Sequence, residues 1–162
     1  MSARSGIGYD SHRLVVGRRL VLGGVEIPAE RGLQGHSDAD VLSHAVIDAL
    51  LGAAGLGDIG QHFPDTDARY RDADSLVLLA DSLALVRNAG LEPLHVDVTL
   101  VMELPKLGAA RDAIRERLAG VLGLDVANVN LKATTGEGIG FVGRGEGVAA
   151  LAIVTIAPRD DD

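Results

Sequence analysis

The chain has 162 residues, long enough for one domain with a sizeable core. Its formal net charge of −8 argues against a general nucleic-acid binder, and an aromatic content of 2% without tryptophan excludes a base-stacking platform. There is no cysteine, so disulfides and thiolate metal sites are excluded, and no apolar run reaches the ~20 residues of a membrane span. The opening stretch, Met1 to Leu14, lacks the apolar centre of a signal peptide, and a cytoplasmic location is expected.

In chain order, Ile7 to Val16 reads as a first strand whose start is loosened by Gly6 and Gly8. Asp10 and His12 are two apart and share one face of it. Gly17-Arg18 marks a turn, and Arg19 to Ile27 a second strand with a bulge at Gly23-Gly24. Pro28 to Gly35 is a loop leading into a helix. Ser37 with Asp40 three residues later has capping-box spacing, and Val41, Leu42, Ala45, Val46, Ala49 and Leu50 recur at helical period up to a Gly-rich exit at Gly57. Asp40, His44 and Asp48 fall on one stripe of that helix.

Residues 55 to 75 are rich in Gly, Asp and Pro and read as a long loop with a short helical turn, functional or disordered. Ser75 caps a second helix to about Asn88, stopped by Gly90. Leu91 to Met102 alternates as a strand. Pro105 opens a third helix to about Leu122. Asn128 to Thr134 is a short strand, a Gly-rich loop follows, and Val148 to Ile156 is the last strand before an acidic tail at Asp160 to Asp162. The pattern predicts a single catalytic α+β domain over 1–162, with 1–4 and 159–162 frayed. It is a two-layer sandwich, a mixed or antiparallel sheet with helices on one face.

Asp10-x-His12 with His44 could converge on a metal. One carboxylate and two imidazoles suit zinc, and three protein ligands leave a fourth position open, as catalytic sites do. Asp48, one turn beyond His44, could orient that ring. Asp40 either shares that role or is only a first-turn cap. The bland alternative is a set of surface histidines near carboxylates. Lys132-Ala-Thr-Thr-Gly-Glu137, running into a Gly-rich segment, could cradle a phosphate with Glu137 on a hard cation, or could be a plain hairpin. Gly138 to Gly143 matches Gly-x-Gly-x-x-Gly, but a strand pattern follows and the dinucleotide reading is rejected. Asp58 to Asp67 could be a substrate lid, and Lys106 at a helix start could take an anion. His95 has no patterned partner and reads as structural.

These residues, Asp10-x-His12, His36-Ser-Asp-x-Asp40, His44, Asp58-Ile-Gly60, Phe63-Pro-Asp-Thr-Asp67, Pro105-Lys106, Lys132-Ala-Thr-Thr135, Glu137 and the segment Gly140 to Gly147, stand in the order and spacing of the 2-C-methyl-D-erythritol 2,4-cyclodiphosphate synthase family. The chain resembles that family over nearly its whole length. The resemblance implies a homotrimer with active sites between subunits and a cytidine diphosphate substrate, without nucleic-acid or membrane partners. It implies one Zn²⁺ per subunit on Asp10, His12 and His44, and a Mg²⁺ or Mn²⁺ held with the diphosphate by Glu137. His36 and Thr135 would be catalytic, and Asp40 and Asp48 would support the metal ligands. Ser37, Asp58, Ile59, Gly60, Phe63, Pro64, Asp65, Thr66, Asp67, Phe141 and Arg144 would bind substrate, the last two by analogy bordering a ligand on the three-fold axis. Met102, Glu103, Leu104, Pro105, Lys106, Leu107, Gly108, Ala133, Thr134 and Gly136 would hold the cytidine and diphosphate. Gly136 replaces a Thr or Asn of many relatives and is expected to leave the loop looser. Two rival readings share these residues: a zinc phosphohydrolase that admits water to the open position, and a trimeric protein that only sequesters a diphosphate ligand.

Overall fold

A computed structural model describes residues 2–160. Strand β1, Arg4–Val16, lies in a five-stranded sheet with β4, Arg31–Leu33; β5, Leu91–Val101; β6, Val129–Thr134; and β7, Gly147–Pro158. The spatial order is β4-β1-β7-β5-β6, antiparallel except for the parallel β5–β6 pair. Helices α1, Val41–Ala54; α3, Ser75–Asn88; and α4, Ala110–Leu122 pack together, α1 on β1 and β7 and α4 on β6. Period-two burial shows the sheet to be one-sided: Val148, Ala150, Ala152, Val154 and Ile156 of β7 are buried, while Leu151 and Ile153 are exposed. The mixed sheet is the one the sequence predicts.

Helix α1 is apolar except along the stripe of His44 and Asp48, and most residues from Val41 to Ala53 are buried. That is the signature of a core helix, not a surface one. Its seating on β1 depends on Gly6 and Gly8. A Cβ at Gly8 would stand 1.9 Å from the Ala45 carbonyl oxygen, and one at Gly6 2.2 Å from that of Ala49. These glycines therefore bring two backbones into contact, a role different from the loosening the sequence suggests.

Several boundaries differ from expectation for local reasons. The N-cap of α1 is Asp40, whose side chain accepts the Ser43 N–H, and Ala39 at φ 57° cannot belong to a right-handed helix, so Ser37 lies outside it. The N-cap of α3 is Asp74, with Ser75 its first residue. Gly108 at φ 49° delays α4 to Ala110, well past Pro105. The expected strand 19–27 is two short strands, β2 at Leu20–Leu22 and β3 at Val25–Ile27. They form their own hairpin about Gly23 and Gly24, both with positive φ. Arg31–Leu33, expected as loop, pairs with β1 at the sheet edge. The long loop holds a short helix α2, Ile59–His62, and a tight turn at Ala68–Tyr70. A further short helix, α5, covers Gly140–Gly143. Of the ends expected to fray, Arg4 pairs with Ile156 and the Arg159 N–H donates to Gly90 at 2.9 Å; residues 1, 161 and 162 lie outside the described residues.

Candidate active site

Strand β1 turns Asp10 and His12 to its helix side, the same side as Gly6 and Gly8. The close seating of α1 carries His44 onto them. Asp10 Oδ2 lies 2.7 Å from His12 Nε2 and 3.1 Å from His44 Nδ1, and the two nitrogens are 3.3 Å apart. Donors bound at about 2.0–2.1 Å to a tetrahedral zinc are separated by about 3.3 Å. The His12–His44 edge has that length, and the two edges to Asp10, at 2.7 and 3.1 Å, are shorter. The second nitrogen of each ring is already occupied: His12 Nδ1 donates to the Gln34 carbonyl at 2.8 Å, and His44 Nε2 faces Ser75 Oγ at 2.8 Å and Ser37 Oγ at 3.1 Å. With the outer nitrogens so engaged, His12 Nε2 and His44 Nδ1 are the ring atoms that would face a metal. The donor set fits a divalent metal, and these three side chains form a cluster that could hold one.

Charge follows the same geometry. Burial pushes the Asp10 carboxyl up, but its contacts with His12 and His44 outweigh this and hold Asp10 below its ordinary value. Burial pushes the His12 imidazole down, and the Asp10 carboxylate more than reverses this. The side chains are 12–25% exposed, enough to leave one side of the cluster open.

That side opens into a cavity of about 380 Å³ lined by His36, Ser37, Ile59, Gly60, Phe63, Pro64 and Asp65. His36 is held by its Nε2–H donating to the Asp67 carbonyl at 3.0 Å. Five expected substrate residues, Asp58, Thr66, Asp67, Phe141 and Arg144, do not line this cavity. Asp58 caps α2 in a reciprocal capping box with Gln61. Thr66 stands aside, and the Asp67 carboxylate pairs with Arg69 at 2.7 Å. Tyr70 and Leu78 line it instead, Tyr70 standing edge-on to Phe63 with ring centroids 5.5 Å apart.

Neither expected orienting carboxylate touches His44. Asp48 accepts the Ile59 N–H at 2.8 Å and so anchors the loop. Asp40, fully buried, accepts from Gly23 N, Gly24 N, Ser43 N and Ser43 Oγ. Burial nevertheless pushes its carboxyl up. It ties the β2–β3 hairpin to the helix start, which is the capping role. The groups that do reach His44 are Ser37 and Ser75, with Asp38 behind Ser75.

A second cavity, about 180 Å³, lies beyond the ends of β5 and β6. It is lined by Met102, Pro105, Lys106, Leu107, Gly108, Ala133, Thr134 and Thr135, with Leu100 and Arg111 in addition. Glu103 and Leu104 border a neighbouring groove with Arg144. Glu103 Oε1 accepts the Gly136 N–H at 2.6 Å, and a Cβ at Gly136 would stand 2.7 Å from Gly143 N. Gly136 therefore tightens the loop against its own return, the reverse of the expected loosening. Glu137 follows at φ 55°, its N–H bonded to Thr135 Oγ1 at 3.1 Å. Phe141 packs beside Gly147, and Arg144 pairs with Glu146 at 3.0 Å. Lys132 Nζ is held by Asp97 at 2.6 Å.

Fold and site together define an α+β domain with an Asp-His-His cluster, suited to a divalent metal, at the mouth of a cavity of about 380 Å³. The chain belongs to the YgbB family, whose model matches residues 3–157. It is 58% identical over 157 residues, 97% of this chain and 94% of the relative, to a 2-C-methyl-D-erythritol 2,4-cyclodiphosphate synthase of Desulfosudis oleivorans. A solved 2-C-methyl-D-erythritol 2,4-cyclodiphosphate synthase in a CDP-bound form matches with a TM-score of 0.88 at 42% identity, covering 95% of this chain and all of that one. The bifunctional IspDF of Campylobacter jejuni matches with a TM-score of 0.95 at 43% identity over 98% of this chain, which spans 43% of that longer one. Among the described residues no helix is long and apolar enough to cross a membrane.

Proposed function

We propose that this chain is a single catalytic domain, a cytoplasmic lyase of the non-mevalonate isoprenoid route. It converts 4-diphosphocytidyl-2-C-methyl-D-erythritol 2-phosphate into the 2,4-cyclodiphosphate and CMP. The observation that carries this reading is the Asp10–His12–His44 triangle opening into the cavity that also holds His36 and Ser37. The donor set supports Zn²⁺, one per subunit. A divalent metal there supplies charge neutralisation for phosphate oxygens approaching one another in an acidic protein.

The chain's own residues bind and orient. A phosphate oxyanion is already a nucleophile near neutral pH, so attack of the 2-phosphate on the β-phosphorus needs no general base. It needs the two ends held together, an orientation effect of about 7–11 kcal/mol in favourable cases. His36, held by the Asp67 carbonyl, and Thr135, whose Oγ1 accepts the Glu137 N–H, would contact the reacting phosphates. Glu137 would hold Mg²⁺ or Mn²⁺ on the diphosphate. Residues 102–108 with Ala133 and Thr134 would receive the cytidine, and a relative solved in a CDP-bound form supports a cytidine nucleotide as the ligand.

The two cavities share no lining residue. Strands β1 and β6 are three strand spacings apart, about 14 Å at ~4.8 Å each. One chain therefore presents a metal half and a cytidine half that do not meet, which supports a homotrimer with each site closed by a neighbour. The outer face of β1 and β7 supports it too: Ile7 lies opposite Ile153 and Tyr9 opposite Leu151, all four exposed.

Phosphorus NMR of the protein with the cytidyl substrate, Zn²⁺ and Mg²⁺ tests the reading. Cyclic diphosphate and CMP are expected together, and both should vanish with His44→Ala. CMP with an open-chain 2,4-bisphosphate would mean a hydrolase. Zinc binding without turnover would mean a sequestering protein.

A further inference from the structure

We infer that Ser75 and Asp38 are positioning residues for the metal centre, acting on His44 as a hydroxyl–carboxylate relay; the inference rests on the metal reading above. Its starting point is a proton count. Asp38 uses both carboxylate oxygens: Oδ1 on the Ser75 hydroxyl and the Asp40 N–H, Oδ2 on the Ser75 N–H at 3.0 Å. A carboxylate only accepts, so the single hydroxyl proton of Ser75 is committed to Asp38. The Ser75 oxygen then turns a lone pair to His44 Nε2, 2.8 Å away.

His44 Nε2 must therefore carry the ring proton. That leaves the lone pair on Nδ1, the atom 3.1 Å from Asp10 Oδ2 and 3.3 Å from His12 Nε2. Ser37 Oγ, at 3.1 Å, is the longer branch of the same donor and is itself an acceptor for the Ala39 N–H at 3.2 Å. Ser75 thus holds the stronger share. The usual partner of a metal-bound histidine is a carboxylate or carbonyl in direct contact. Here the carboxylate acts through one hydroxyl, from the start of α3.

Ser75 is fully buried, which makes the relay rigid and shields it from water. The arrangement gives the α1–α3 contact a task beyond packing. The first residue of one helix selects the ring nitrogen that the other offers to the metal.

The test is zinc affinity by chelator competition, with the d–d spectrum of the cobalt-substituted protein as a second readout. Ser75→Ala should weaken zinc binding about 10–100-fold, the range for loss of such a partner, and shift the cobalt spectrum. Asp38→Asn should do the same to a smaller extent, and Ser75→Thr should restore most of the affinity. Ser82→Ala is the control: Ser82 is equally buried on α3, but its hydroxyl donates to the Leu78 carbonyl, far from the metal ligands in the bonding network. It should lower the melting temperature of the metal-free protein without moving zinc affinity. If Ser75→Ala and Ser82→Ala leave zinc affinity equally unchanged while His44→Ala abolishes it, the relay is wrong and the metal reading stands. If the unaltered protein takes up no stoichiometric zinc, both fall.

Discussion

The Asp10–His12–His44 cluster and the second cavity, the proposed metal and cytidine halves, are built by opposite means. The first is made of side chains from β1, α1 and the start of α3, largely buried, each with its polar atoms committed to a named partner. The second is a smaller cavity, lined by the segment after β5 and by the last residues of β6 with Thr135. A centre that must set ligand distances to tenths of an ångström draws on packed elements. A pocket that reads a base edge by its carbonyls and N–H groups tolerates changes of side chain.

Substitutions in the two halves should accordingly differ in kind. The largest effect is expected from Gly8→Val. Its Cβ would overlap the Ala45 carbonyl, and overpacking of this sort costs about 1–3 kcal/mol and sometimes more. α1 should lift from β1, with a lower melting temperature and no stoichiometric zinc; a variant that still binds zinc at full occupancy would show that the strand–helix contact does not set the cluster. Next, His44→Ala should leave the fold in place by circular dichroism but reduce kcat at least ~100-fold by removing a metal ligand.

In the cytidine half, Gly136→Thr should raise KM about tenfold while zinc content stays at wild-type level, because its Cβ collides with Gly143 N and displaces the Glu103 contact. Equal KM values for the two proteins would mean that the loop relaxes freely. The smallest effect concerns acid stability. The Lys132 ammonium, 2.6 Å away, holds the Asp97 carboxyl below its ordinary value of 3.8. A carboxyl lowered on folding contributes stability above its unfolded value, and this is lost as pH falls through the folded one. Lys132→Met should therefore narrow the gap in melting temperature between pH 5 and pH 3 slightly, the pair being largely solvent-exposed. An unchanged gap would assign the acid sensitivity to other carboxylates.

Much of this was legible in the sequence. The Asp10-x-His12 spacing and the position of His44 on an apolar helix pointed to the metal cluster, since strand and helix periods place side chains by counting. The sheet and its helical cover followed from alternation in the same way. What counting missed depends on tertiary contact. Asp40 and Asp48 sit at helical spacing from His44 yet bond to the β2–β3 hairpin and to Ile59, because spacing along one helix says nothing about what packs against it. Ser75 was read as a cap, a role that any serine at a helix start can suggest, and its pairing with Asp38 spans 37 positions. Gly6 and Gly8 looked like flexibility and are points of backbone contact. The split of strand 19–27 turned on two glycines with positive φ, where alternation alone predicted continuity.

The separation of the two cavities has a genetic consequence. On the shared-site reading, His44→Ala and Thr135→Ala damage different halves of different composite sites. Two inactive proteins, unfolded together and reassembled, would form mixed trimers in which some sites draw both intact halves from different chains. Activity would return by complementation from parents that have none.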